Sequence, residues 1–298
     1  MIDVENVRAI DVHTHADASV DGEVDPGSRA MFEAAAEYFG APVEKPTAEE
    51  VAAYYRERSM AAVIFAVDAE AGLGHFPVSN REVLRIAHAN DDVLIPFVSV
   101  DPHKGRRGVQ EARALIAEGA RGFKFHPNLQ ALFPNDRLAY PLYEVIAEAR
   151  LPALFHTGHS GMGSGMPGGG GIRLKYSNPM CVDDVAVDFP EMPIVLAHPS
   201  FPWQEEAISV AMHKPSVYID LSGWSPKYFP PVLVQYVNGR LGDKVLFGSD
   251  FPFLTPDRWL ADLERTDIKP DLYPRILKDN AVRLLGLEAA PSSSTQTA

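Results

Sequence analysis

The sequence predicts a distorted (β/α)8 barrel with an insertion after its first strand. Three observations lead there: eight short apolar runs rich in Val, Ile and Phe, a helical periodicity between most of them, and chemically capable polar residues where the runs stop. VRAIDVH is the first strand. Residues 17–46 are too long for a simple turn and read as a partial lid over the barrel mouth. TAEEVAAYYRERSM opens on a capping-box pattern, Thr47 with Glu50, and reads as a helix. AAVIFAVD and LIPFVSVD follow as strands, separated by the helix NREVLRIAHAN. GVQEARALIAEG leads as a helix to the strand ARGFKFH, and YPLYEVIAEAR leads to PALFHT. VDDVAVDF, QEEAISVAMHK and PVLVQYVNG are the helices set among the last strands, PIVLAHP, VYIDLSG and KVLFGSD. Eight such units in 298 residues fit a barrel better than a doubly wound sheet, which usually has five or six strands. Residues 1–287 read as one catalytic domain. The small polar residues of 288–298 bury nothing and read as a disordered tail.

Composition narrows the function. An apolar content of 46% supports a buried core, and a formal charge of −13 repels a phosphate backbone, so nucleic acid is excluded as the main partner. No basic region followed by an apolar run opens the chain, and the longest apolar stretches have strand length, so neither a signal peptide nor a membrane partner is expected. The single cysteine, Cys181, excludes an internal disulfide and a cysteine-cluster metal site, and suits a reducing cytoplasm.

In a barrel the active site forms at the C-terminal ends of the strands. There the sequence places His13 and His15, then Lys124 and His126, His156, His198 and Asp250. Period-two alternation puts His13 and His15 on one face of the first strand. HxH alone is a weak signal, but a purely structural barrel would carry Val or Ile at these positions. Three neutral imidazoles and one carboxylate, from His13, His15, His156 and Asp250, suit zinc, with manganese or iron(II) as competitors. Such an ion lowers the pKa of water from 15.7 to about 7. Asp250 is then placed to take the water's proton, and His198 to orient the water or polarise a carbonyl.

From IDVHTH through GFKFHP, LFHTG and LAHPS to LFGSDFP, the chain resembles the metal-dependent amidohydrolase superfamily. The resemblance lies with the branch that contains aminocarboxymuconate-semialdehyde decarboxylase, resorcylate decarboxylases and related hydrolases. It implies a distorted barrel with one catalytic metal, ligands His13, His15, His156 and Asp250, and a catalytic His198; it also makes a homodimer reasonable. Lys124-x-His126 departs from the decarboxylase pattern and is closer to the hydrolytic members, where it would contact substrate. In binuclear relatives a strand-four lysine is carboxylated and bridges two metals, and Lys124, His156 and His198 would meet that pattern. The surrounding sequence resembles the single-metal branch, so one metal is expected. An ion pair of Lys124 with an acidic neighbour such as Asp101 is the bland alternative.

HTGHSGMGSGMPGGGGIRLKY, residues 156–176, contains a GxGxxG pattern at Gly163, Gly165 and Gly168. A dinucleotide fingerprint needs its first glycine at a strand-to-helix turn, whereas three residues intervene here and Pro167 interrupts the pattern. The stretch reads instead as a loop leaving the metal site, with His159, Arg173, Lys175 and Tyr176 as substrate contacts. Trp224 is placed to wall an aromatic substrate. Asp68 and Asp101 read as loop caps, and His75, His88, His103 and His213 as packing or surface residues. Together these residues describe a hydrolase that directs metal-activated water at a carbonyl-containing small molecule, anionic or aromatic. A lactone or an aryl β-ketoacyl compound of aromatic catabolism fits, and the alternative is a metal-dependent non-oxidative decarboxylase of a phenolic or unsaturated acid.

Overall fold

The computed structural model describes residues 1–22, 25–40 and 45–287, so the expected tail at 288–298 lies outside the described residues. All eight runs form parallel strands: β1 (Ala9–His15), β2 (Met60–Phe65), β3 (Leu94–Pro96), β4 (Phe123–Phe125), β5 (Ala153–His156), β6 (Ile194–Ala197), β7 (Val217–Asp220) and β8 (Val245–Leu246). They pair in chain order as a three-stranded sheet, β1 to β3, and a five-stranded sheet, β4 to β8. Backbone contacts join the two sheets into a barrel. Val98 bridges Phe123 on one side, and on the other Val12 donates to the Phe247 carbonyl and Asp250 to the His13 carbonyl.

Strand periodicity separates two cores. Ala61, Val63 and Phe65 pack with Ile10, Val12, Leu154 and Val195 in the barrel interior. Met60, Ala62 and Ile64 face outward into the layer shared with the helices. On β1, strict alternation would send His13 outward with Ala9 and Asp11. A register shift between Asp11 and Thr14 resets the strand, so His13 and His15 aim at the axis. Asp11 stays outward, where its Oδ2 accepts from the Tyr55 hydroxyl at 2.6 Å. Its buried carboxyl is raised to about 7 by desolvation, against hydrogen bonds from Ser249, Tyr55 and His13.

The helices follow the sequence pattern. Ala48–Glu57 begins at the reciprocal capping box of Thr47 and Glu50. Within the insertion, Pro26–Phe39 is a helix with Asp25 as N-cap, Pro26 in its first turn and Gly40 in the left-handed C-terminal position. Its inner face carries the buried Met31 and Phe32 over the barrel mouth. Phe39 occupies the space in which Gly161 would carry a Cβ, so lid and glycine-rich loop meet directly. No helix among the described residues is long and apolar enough to cross a membrane.

Candidate metal centre

His13 sits at the centre of a buried polar cluster. Its Nδ1 faces Asp220 Oδ2 at 2.8 Å, and its Nε2 lies 3.1 Å from Lys124 Nζ and 3.2 Å from Asp250 Oδ1. His15 Nε2 reaches the same Asp250 oxygen at 3.0 Å. His13, His198 and Asp250 each offer a ligand atom within 4.8 Å of the others. His156 joins through His198, its Nδ1 lying 3.0 Å from His198 Nε2. The ring of His126 stacks on His156 with centroids 3.9 Å apart and planes within 9°.

Hydrogen bonding fixes the tautomers by elimination. The Ser222 carbonyl, 3.0 Å from His198 Nδ1, can only accept, so that nitrogen carries the proton and His198 Nε2 accepts from His156 Nδ1–H. A neutral His156 then keeps a lone pair on Nε2, which is buried with no partner among the described residues. In the same way the Asp220 carboxylate takes the Nδ1 proton of His13 and leaves its Nε2 lone pair on the cluster.

Burial keeps these imidazoles neutral. It pushes His13, His126 and His156 well below the ordinary histidine value and lowers His198, with the Lys124 charge adding to each. Burial also brings Lys124 down to about 8, against the attraction of Asp220 and Asp250. Asp250 goes the opposite way. Burial alone would raise it, but His13, the His15 hydrogen bond and His198 outweigh that and hold the carboxylate ionised far below its usual range.

The backbone at the site is special at three points. His198 and Asp250 both hold φ of 72°, a conformation uncommon outside glycine that aims each side chain across the barrel mouth. Gly223, at φ 71°, lies so near that a Cβ there would stand 2.6 Å from His198 Nδ1 and 3.2 Å from Asp250 Oδ2.

A cavity of about 890 Å³ opens above this floor. Its lining includes His13, His15, Lys124, His126, His156, His159, His198, Trp224 and Asp250. Arg173, Lys175 and Tyr176 are not brought to it. Arg173 and Lys175 are exposed, and Tyr176 packs on Phe133 with ring centroids 4.7 Å apart. The cause is local: Gly168 to Gly171 all take left-handed conformations, and the chain beyond them folds as the short turn Leu174–Ser177 off the cavity. Lys124 contacts His13 rather than Asp101, which caps the turn Pro102–Lys104 instead. His75, expected to be packing or surface, lines the cavity and packs against the lid at Gly27.

Asp220 and Ser222 escaped the sequence reading. Asp220 is fully buried at the end of β7, and the Ser222 hydroxyl lies 3.0 Å from His13 Nδ1 and 2.9 Å from His198 Nδ1. Their available signal was position: within VYIDLSG the strand part VYID ends in an acid, at the same strand terminus as the other site residues.

A family model described as amidohydrolase matches residues 10–287. The chain belongs to the amidohydrolase family. It is an enzyme of that superfamily. Over 113 residues it is 28% identical to Protein fluG of Emericella nidulans, a match covering 37% of this chain and only 12% of that longer protein. An uncharacterised TIM-barrel protein of Bordetella bronchiseptica superposes with a TM-score of 0.76 at 24% identity, covering 93% of this amidohydrolase and 98% of that chain. A dihydroxybenzoic acid decarboxylase from a Polaromonas species, solved with manganese and the inhibitor 2-nitroresorcinol, gives a TM-score of 0.62 at 13% identity, covering 95% and 98%. These two likenesses show the shared barrel fold.

Proposed function

We propose that this amidohydrolase is a metal-dependent hydrolase that cleaves a carbonyl-containing small molecule with water. The observation carrying the reading is an acid and a base set about one histidine: Lys124 Nζ and Asp250 Oδ1 lie 3.1 and 3.2 Å from His13 Nε2. The donor set fits a divalent ion: His13, His198 and Asp250 offer ligand atoms within 4.8 Å of one another, the Asp250 carboxylate is ionised, and the tautomers leave lone pairs on His13 Nε2 and on the buried His156 Nε2. His13, His15, His156 and Asp250 would hold one such ion. Neutral imidazoles with one carboxylate favour zinc, with manganese or iron(II) as competitors. When bound, the ion supplies Lewis acidity and makes water acidic enough to deliver hydroxide at neutral pH.

The chain's own groups perform the rest. Asp250, ionised at neutral pH, accepts the proton of the attacking water. The Lys124 ammonium donates to the substrate oxygen as negative charge builds on it. His198 is held by the Ser222 carbonyl and in turn fixes the His156 ring, so it is a positioning residue as well as a wall of the site. His126, His159 and Trp224 line the cavity as substrate contacts. A lactone or an aryl β-keto compound fits this chemistry: water adds to the carbonyl, and the ring C–O or the neighbouring C–C bond breaks.

Non-oxidative decarboxylation is the second reading, favoured by the fold shared with dihydroxybenzoic acid decarboxylases. There the same centre would bind carboxylate and hydroxyl oxygens, and Asp250 would shuttle a proton to carbon. Turnover in heavy-oxygen water separates the two. Label in the product carboxylate supports hydrolysis, whereas carbon dioxide release with no label refutes it.

A further inference from the structure

β1 reaches the metal centre through an irregularity. Its register with β2 shifts between Asp11 and Thr14, and within that shift the His13 amide donates to a side chain, Asp11 Oδ1, at 3.0 Å. The same oxygen takes a second amide, that of Ser249, also at 3.0 Å. Ser249 immediately precedes Asp250. One carboxylate oxygen therefore gathers the backbone of a proposed ligand on β1 and of the residue beside another, on the loop after β8.

The second oxygen of Asp11 is fixed as well. Tyr55, on the helix Ala48–Glu57, donates its hydroxyl to Asp11 Oδ2 at 2.6 Å. With that proton committed, the Ser249 hydroxyl donates to the Tyr55 oxygen at 3.2 Å, and the Ser249 oxygen accepts from the Phe251 amide at 3.1 Å. Asp250 is thus bracketed. The amides on either side of it are anchored, and its own donates to the His13 carbonyl at 3.0 Å. This bracket holds Asp250 at φ of 72°, a conformation that persists in a non-glycine residue only where its surroundings enforce it. Asp11, Tyr55 and Ser249 are fully buried and do not line the cavity, so they touch neither bulk water nor substrate.

We propose that Asp11 is a positioning residue of the metal centre: from behind the barrel wall, its carboxylate sets the separation of His13 and Asp250 by holding the backbone of both. A metal site tolerates little error in ligand placement, so slack in either backbone is felt as metal affinity. The proposal rests on the reading that His13 and Asp250 hold a metal, and is indifferent to whether hydrolysis or decarboxylation follows.

Cobalt(II) tests it, because its visible bands report coordination geometry and its affinity is read by competition with a chromophoric chelator. Asp11→Ala loses the acceptor of both amides and should bind cobalt about tenfold or more weakly, with altered bands. Asp11→Asn keeps an oxygen for the two amides and recovers most of the affinity and the parental bands. Asp11→Glu keeps the charge but carries it one methylene further, away from the amides, and behaves like the alanine variant. Circular dichroism and the urea midpoint establish which variants are folded; if Asp11→Ala does not fold, asparagine against glutamate makes the same contrast. Parental affinity and bands in folded Asp11→Ala or Asp11→Glu, with only the urea midpoint lowered, would assign Asp11 to stability alone and overturn the proposal. Asparagine as weak as alanine or glutamate would overturn it too, since charge and not geometry would then matter. A parental protein that binds no cobalt removes the metal reading and the proposal together, whereas tight parental binding with unaffected variants removes the proposal alone.

Discussion

Asp220→Asn removes one negative charge from a site where no water can replace it, since the side chain is fully buried. Its Oδ2 lies 2.8 Å from His13 Nδ1, and its Oδ1 accepts from the Ser222 amide at 2.8 Å. The carboxylate fixes the His13 tautomer and makes the opposite nitrogen more basic, which is how outer partners tune metal ligands; losing one weakens metal affinity about 10- to 100-fold. That range corresponds to about 1.4–2.7 kcal/mol. The Ser222 hydroxyl, 3.0 Å from the same nitrogen, can accept the proton in part. Asp220→Asn alone should therefore fall at the low end of the range, and the double variant with Ser222→Ala at the high end. The assay is a zinc titration of chelator-stripped protein against a competing chromophoric chelator, with circular dichroism to establish that each variant is folded. Folded Asp220→Asn and double variants that bind zinc as tightly as the parent would refute the reasoning.

Lys124→Met should lower kcat about 100-fold or more while metal content stays at the parental level, because the ammonium serves the developing oxyanion; loss of metal with activity would assign Lys124 to ligation instead, as a carboxylated bridge requires. Gly223→Ala, forced to hold φ 71° with its Cβ against His198 and Asp250, should destabilise the fold by about 1–3 kcal/mol in denaturant titration and weaken metal binding; an unchanged midpoint contradicts the close approach. The buried histidines make metal-free stability pH-dependent. Their folded values lie below 6.5, so as pH falls through 6.5 the unfolded chain takes up protons that the folded chain does not, and stability drops. The urea midpoint of the stripped protein should fall between about pH 7.5 and about pH 5.5; a midpoint that holds or rises contradicts neutral buried imidazoles.

Most of the barrel was legible because strand and helix periods differ, and each apolar run in the sequence became a strand. His13 and His15 were legible as a pair, although what turns them inward is the register shift at Asp11 and not uninterrupted alternation. Asp220 was hidden because its partner His13 is 207 residues away, and nothing local to VYIDLSG marks its acid as buried rather than capping. Arg173, Lys175 and Tyr176 illustrate the opposite difficulty. Nearness in sequence to His156 made them candidates, but a run of left-handed glycines redirects the chain before it reaches them. The helix inside the insertion went unread although Pro26 and Gly40 mark its ends, and which of its faces meets the cavity depends on packing against Gly161 and Phe253, residues more than a hundred positions away.

Elemental analysis of protein purified without chelator, combined with intact mass, bears most directly on the metal centre. The account predicts one divalent ion per chain, an unmodified Lys124, and loss of the ion in His156→Ala and Asp250→Ala. Two ions per chain with a carboxylated Lys124, or no ion after gentle purification, would contradict it.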